Sequence, residues 1–235
     1  IEYRSERGLL DFHEEMGIMI QEVVGNRVGP YFIPSFAGVA FRNNEFRWSS
    51  RINREDGLIR MVPGLGTRAV DRMADDYPVL IAPGKPDLQV NLSADEIVKY
   101  APKEIDVINL ETNTFQTIKI NTLLKEIGHD IPGIENMVSI YDADMIMPAT
   151  NRFSLDFDRD NTVITFEGLI SRTDFVKRME SLLTVLSEEL RTPVDVEFAH
   201  DGKQFYLLQC RPQSYTRDTA PAPIPQDVPQ EDTLF

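Results

Sequence analysis

Val194-Asp-Val-Glu-Phe-Ala-His-Asp-Gly-Lys-Gln-Phe-Tyr-Leu-Leu-Gln-Cys-Arg211 alternates apolar and polar residues on either side of His200-Asp201-Gly202. A period of two is the signature of a pleated strand with one buried face, so the stretch reads as a β-hairpin. Gly202 stands where a three-residue loop, a type I turn followed by a G1 bulge, needs a positive φ. With Ala199 facing Lys203, odd-numbered positions of both strands share one side. The even side then carries Val194, Val196, Phe198, Tyr206, Leu208 and Cys210, and must face the core. The odd side carries Asp195, Glu197, Phe205, Leu207, Gln209 and Arg211. Acids, an amide and a guanidinium interleaved with Phe and Leu suit the floor of a polar cleft, or an amphipathic hairpin whose charged side meets water. Alternation alone admits both.

Working outward, Thr173 to Leu190 places Phe175, Val176, Met179, Leu182, Leu183, Val185, Leu186 and Leu190 at helical spacing, an apolar stripe that predicts packing against the hairpin's apolar side. Thr192-Pro193 ends that helix. Phe153 to Phe157 and Thr162 to Phe166 read as a second hairpin around Asp158 to Asn161. Met16 to Val24 reads as a buried strand, Gly25 to Pro30 as a turn, Ser35 to Arg42 as the next strand, and Phe46 to Ser50 as a short one. Leu58 to Val62 forms a strand that Pro63-Gly64-Leu65-Gly66 breaks, with helical spacing from Thr67 to about Asp75. Such a strand, Gly turn and helix start can offer free N–H donors to a phosphate, and equally can be an ordinary connection. Between residues 77 and 150 the chain predicts strands at Val79, Ile105 and Phe115. It also predicts short helices at Ser93 to Tyr100, with Ser93 as N-cap and Glu96 three residues on, and at Thr122 to Ile127.

These segments resemble a known family. Asp-Val-Glu-Phe followed by Leu-Leu-Gln-Cys-Arg-Pro is similar to the closing hairpin of the ATP-grasp domain of phosphoenolpyruvate synthase and pyruvate phosphate dikinase. Met19-Ile-Gln-Glu-Val-Val-Gly-Asn26 resembles that family's hinge strand, Phe36-Ala-Gly-Val-Ala-Phe41 its Ser-Gly-Val-Ala-Phe strand, and Gly64-Leu-Gly66 its Gly-Leu-Gly-Glu turn. Four segments in the family's order are a specific signal, whereas one Gly-Leu-Gly is weak. Thr67 stands where the family has Glu. The resemblance implies an α+β fold, a mixed and mostly antiparallel sheet with packed helices, corresponding to the second ATP-grasp lobe.

The resemblance also implies roles. Gln21, Glu22, Val23 and Val24 would run along the adenine, and Gly64 and Gly66 would approach the phosphates. Glu197 and Asp195 would face Mg²⁺, with Gln209 beside them and Arg211 clamping a phosphoryl oxygen. ATP and Mg²⁺ are the implied cofactors. In the family the phosphoryl group passes to a histidine on a separate domain and then to pyruvate. Neither that domain nor the first lobe, which supplies a Lys and an Arg, is recognisable here, so this stretch alone is expected to make no phosphoenolpyruvate. The implied organisation is a connector over residues 1–15, a nucleotide-binding lobe over 16–212 with an unfamiliar insert at 85–150, and a Pro-rich tail over 213–235. A sister phosphotransferase with another acceptor, or a non-catalytic nucleotide-sensing or interaction module, would share these motifs.

Composition narrows the partners. The 235 residues include 38 acids against 24 Lys and Arg, a net charge of −14, which opposes binding to nucleic acid or to an anionic membrane surface. No apolar run approaches the about 18 residues of a membrane span, and the N-terminus has no signal-peptide pattern. The expected location is therefore the cytoplasm. Cys210 is the single cysteine, so an internal disulfide is excluded, and its place on the apolar side predicts packing rather than reactivity. No zinc-spaced Cys/His set, Ser-His-Asp arrangement or internal repeat is present.

Overall fold

The computed structural model describes residues 17–46, 48–70 and 76–213, and the account below concerns those. The fold is α+β, with three antiparallel sheets. The sheet that carries the final hairpin has five strands in the order β12-β11-β3-β4-β5. These are Phe36–Phe41 (β3), Leu58–Pro63 (β4), Val79–Ile81 (β5), Val194–His200 (β11) and Phe205–Pro212 (β12). A second sheet joins Asn26–Val28 (β1), Tyr31–Ile33 (β2), Glu104–Asn109 (β6) and Thr114–Lys119 (β7). A third joins Thr162–Ile164 (β10), Val138–Asp142 (β8) and Met145–Pro148 (β9).

The helices are Thr67–Val70 (α1), Ala94–Tyr100 (α2), Ile120–Ile127 (α3), Glu167–Arg172 (α4) and Phe175–Leu190 (α5). The capping expectation holds for α2, where the Ser93 side chain accepts from the Glu96 N–H and Glu96 reaches back to the Ser93 N–H. In α5 the residues Phe175, Val176, Met179 and Leu183 are buried, while Val185 and Leu190 at the stripe's margin are half exposed. The buried stripe lies against the side of the five-stranded sheet that bears Val194, Val196, Phe198, Ala40 and Met61. Phe175 stands between Phe36 and Phe198, with ring centroids 5.5 and 5.9 Å away. Each such buried side chain contributes about 1.5–3 kcal/mol relative to exposure, so the final hairpin is anchored through this layer.

The register of the final hairpin differs from expectation. Asp195 faces Arg211 and Glu197 faces Gln209, instead of Leu207 and Phe205. The cause is the turn, in which the Asp201 carboxylate accepts from the N–H groups of both Lys203 and Gln204 and lengthens the loop to Asp201–Gln204. Gly202 does take the expected positive φ, 91°. A bulge then shifts the pairing between Glu197 and Phe198, so that Phe198 faces Leu207, Ala199 faces Tyr206 and His200 faces Phe205. Beyond the bulge the sides exchange. Phe205 stacks on Phe198 at 5.6 Å, while Tyr206 donates its hydroxyl to Asp201 at 3.0 Å.

Four further expectations are corrected. Residues 17–24 form no strand and are largely exposed, with Ile18 and Ile20 the most so; Met16 lies outside the described residues. Within the expected turn at 25–30, β1 pairs with β2 in a tight hairpin, because Gly29 at φ 56° reverses the chain. No strand is described over 46–50. Residues 153–157 do not pair with β10, whose partner is β8. The Asn151 side chain caps the turn Arg152–Ser154 and draws it into 3₁₀ conformation instead. The helix expected from Thr67 is described as far as Val70, and residues 71–75 lie outside the described set.

Candidate functional site

In an antiparallel sheet, residues that face each other across strands share a side. Two rows follow from the register on the side opposite α5. Arg211, Asp195, Phe41 and Leu58 form one, and Gln209, Glu197, Val39, Arg60 and Leu80 form the next. The four polar residues singled out on the hairpin are thus neighbours, two by two, on one surface. Arg211 Nε donates to Asp195 Oδ1 at 2.7 Å. The Asp195 side chain is nearly buried, 13% exposed, while that of Arg211 is 58% exposed. Hydrogen bonding to Asp195 and its charge hold the Arg211 guanidinium above its ordinary pKa, so it is a permanent cation. Glu197 is half buried and Gln209 exposed.

The segment holding Gln21, Glu22, Val23 and Val24 runs beside the outer edge of this sheet. Gln21 Nε2 donates to the carbonyl of Leu208 at 3.0 Å. Gln21, Glu22 and Val23 are exposed and Val24 is half buried, so the segment borders the polar surface without being packed beneath it.

Gly64 and Gly66 stand apart from the hairpin, at the junction of the five-stranded and four-stranded sheets. Gly64 has φ 70°, which an L side chain rarely adopts. A Cβ there would lie 2.5 Å from Ile105 Cγ1 and 2.7 Å from the Asp106 carbonyl. The Gly64 N–H donates to Ser35 O at 3.3 Å and the Leu65 N–H to Asp106 O at 3.1 Å. Thr67, which the sequence comparison marks as a departure, donates its hydroxyl to Asp106 Oδ2 at 2.5 Å. Arg68 completes the junction, bonded to Asp76 at 2.8 Å and Glu104 at 2.7 Å and 3.6 Å from Asp106. Burial works against the Arg68 charge, but the three carboxylates outweigh it and raise its pKa.

Sequence reading missed Arg60. It lies in an apolar strand, Leu58-Ile-Arg-Met-Val62, whose pairing partners are not local, and only the register places it in the row of Glu197. It also lines a cavity of about 1140 Å³, together with Phe41, Leu58, Leu80, Tyr77 and Tyr100. A volume of that order holds a small molecule. Since Phe41 faces Asp195 directly, the cavity begins one strand away from the acidic pair.

The carboxylate, amide and guanidinium set can bind a hydrated divalent cation together with phosphate oxygens. Asp195 and Glu197 supply two oxygen donors, the number Mg²⁺ usually takes from protein when phosphates and water complete its shell. Among the described residues no group of three or more His, Cys, Asp or Glu could hold a metal ion. Cys210 packs against the core, and burial pushes its thiol pKa up, as expected of an unreactive cysteine. Among the described residues no helix is long and apolar enough to cross a membrane.

A comparison with protein families matches residues 1–232 to the pyruvate phosphate dikinase, AMP/ATP-binding domain. No curated protein matches the chain.

Proposed function

The chain belongs to the pyruvate phosphate dikinase AMP/ATP-binding domain family, and from that premise we propose that it binds Mg-ATP on the polar side of its final hairpin, as the nucleotide lobe of a dikinase-type phosphotransferase. The coarser part follows from membership: this is an ATP/AMP-binding part of an enzyme of that family, with a kinase-type activity in the parent protein. The observation that supports the finer reading is the pairing of Asp195 with Arg211 and of Glu197 with Gln209 on one side of the sheet.

Each residue then has a task. Asp195 and Glu197 would hold Mg²⁺, which when bound would neutralise phosphate charge. Gln209 offers an amide to the same oxygens. Arg211 presents a planar fork of donors, oriented by Asp195, to the charge that develops on the transferred phosphoryl group. Removing one such preorganised donor typically raises the barrier by about 2.7–4 kcal/mol. Gln21 to Val24 border the adenine at the sheet's edge, and Gly64 and Gly66 shape the turn at the far side of the phosphates. The acceptor is a histidine on another domain of a cytoplasmic enzyme, from which the group passes to pyruvate. A nucleotide-sensing or interaction module is the second reading, favoured by Thr67, which bonds to Asp106 where the family has a Glu.

Calorimetric titration of the full-length protein with Mg²⁺ and a non-hydrolysable ATP analogue tests this, with Glu197→Ala and Arg211→Ala alongside. Binding that weakens in both variants is expected. Wild-type protein that binds no nucleotide would move the interaction module ahead.

A further inference from the structure

Arg60 occupies the middle of β4 and faces Val39 on β3, which in turn faces Glu197 on β11. Neighbouring strands lie about 4.8 Å apart, so the backbones of Glu197 and Arg60 are roughly 10 Å apart. Val39, itself buried, lies between them in the row. The long, flexible Arg stem can lean across a short Val side chain.

The order of groups across the sheet gives a direction. At the outer edge, Gln21 bonds to Leu208 on β12. Glu197 follows on β11, and Arg60 lies on β4, beside the cavity. Arg211 is drawn toward Asp195 in the neighbouring row, and Arg60 lies toward the inner end of the Glu197 row. A nucleotide laid with its base at the β12 edge and its Mg-bound phosphates at Glu197 would bring its last phosphoryl group over β3 and β4.

We infer that Arg60 forms a subsite for the terminal phosphoryl group of the nucleotide, at the mouth of the cavity over β3, β4 and β5. This rests on the reading that Mg-ATP occupies the hairpin's polar side. Arg suits the task, because its planar fork can donate two parallel hydrogen bonds to phosphate oxygens.

The test compares ligands that share a nucleoside and carry one or three phosphorus groups. The full-length wild type, Arg60→Gln and Arg60→Lys are titrated calorimetrically with AMP and with the β,γ-imido analogue of ATP, in Mg²⁺. Thermal melts check that each variant is folded. Arg60→Gln is expected to weaken the ATP analogue about 10- to 100-fold, as loss of charge-assisted hydrogen bonds does, and to leave AMP within about two-fold. Arg60→Lys should recover part of the loss. An unchanged affinity for the analogue in Arg60→Gln overturns the subsite while leaving the nucleotide reading intact. Equal weakening of both ligands also overturns it, because that marks a structural role. A wild type that binds neither ligand removes the nucleotide reading, and the subsite with it.

Discussion

Arg211 faces Asp195 across the final hairpin, and its Nε donates to the carboxylate at 2.7 Å. The contact joins an exposed cation to a nearly buried anion. It therefore orients Arg211 more than it stabilises the fold, since exposed ion pairs contribute about 0–1 kcal/mol. Arg211→Ala should unfold within about 1 kcal/mol of wild type in urea while losing affinity for Mg-nucleotide. Arg211→Lys should keep the charge and still bind less well, because an ammonium lacks the fork. A large loss of stability in Arg211→Ala would show instead that the pair is a fold element.

Gly64 makes a second case. Its positive φ and the 2.5 Å approach to Ile105 leave no room for a Cβ. Gly64→Ala should cost about 1–3 kcal/mol, the range for backbone held in a sparsely populated conformation. Chemical denaturation measures this, and an unchanged midpoint would mean that the turn relaxes freely.

Arg68 is the most buried cation of the junction between the sheets, its side chain 6% exposed beside Asp76 at 7% and Asp106 at 5%. Replacing it leaves buried carboxylates without their partner. Arg68→Met should therefore destabilise by about 3–5 kcal/mol, as one-sided removal of a buried ion pair does. Asp106→Asn introduced together with Arg68→Met should recover part of that loss. Urea midpoints of the two single variants and the double variant decide it.

The hairpin tip should be sensitive to acid. His200 stacks on Phe36 at 4.8 Å, and its Nδ1 accepts from the Gly202 N–H at 2.9 Å, which requires a neutral ring. Burial holds its pKa below the ordinary value. Between the folded and unfolded values the unfolded chain binds more protons, so this stability is present above about pH 6.5 and is lost as pH falls toward the folded pKa. Asp201 adds a second step. Burial raises its pKa, but hydrogen bonds from Gln204, Lys203 and Tyr206 outweigh that and lower it, so its contribution is lost only at pH below the ordinary Asp range of about 3.9. Melting temperatures from pH 8 to pH 3 should fall in two stages, and His200→Gln should remove the upper stage alone.

Local chemistry was legible in the chain. Two strands flank Gly202, α5 follows the apolar spacing from Phe175, and Ser93 caps α2, because periodicity, caps and positive φ depend on residues a few positions apart. Asp195 with Glu197, and Gln209 with Arg211, were each legible as sharing one side of a strand; the two pairs fall on the same side in the expected register and in the observed one, although the facing partners differ. The register itself was not legible. The bonds that the Asp201 carboxylate accepts within the turn, the bulge after Glu197, and pairing of β11 with β3 decide it, and that last pairing joins residues far apart in sequence. The same distance hides Arg60, a cation within an apolar strand that β3 sets in the row of Glu197. It also hides the cluster of Arg68, Asp76, Glu104 and Asp106. Spacing can specify which residues share a strand side, but only the packed sheet decides which strands, and so which charges, become neighbours.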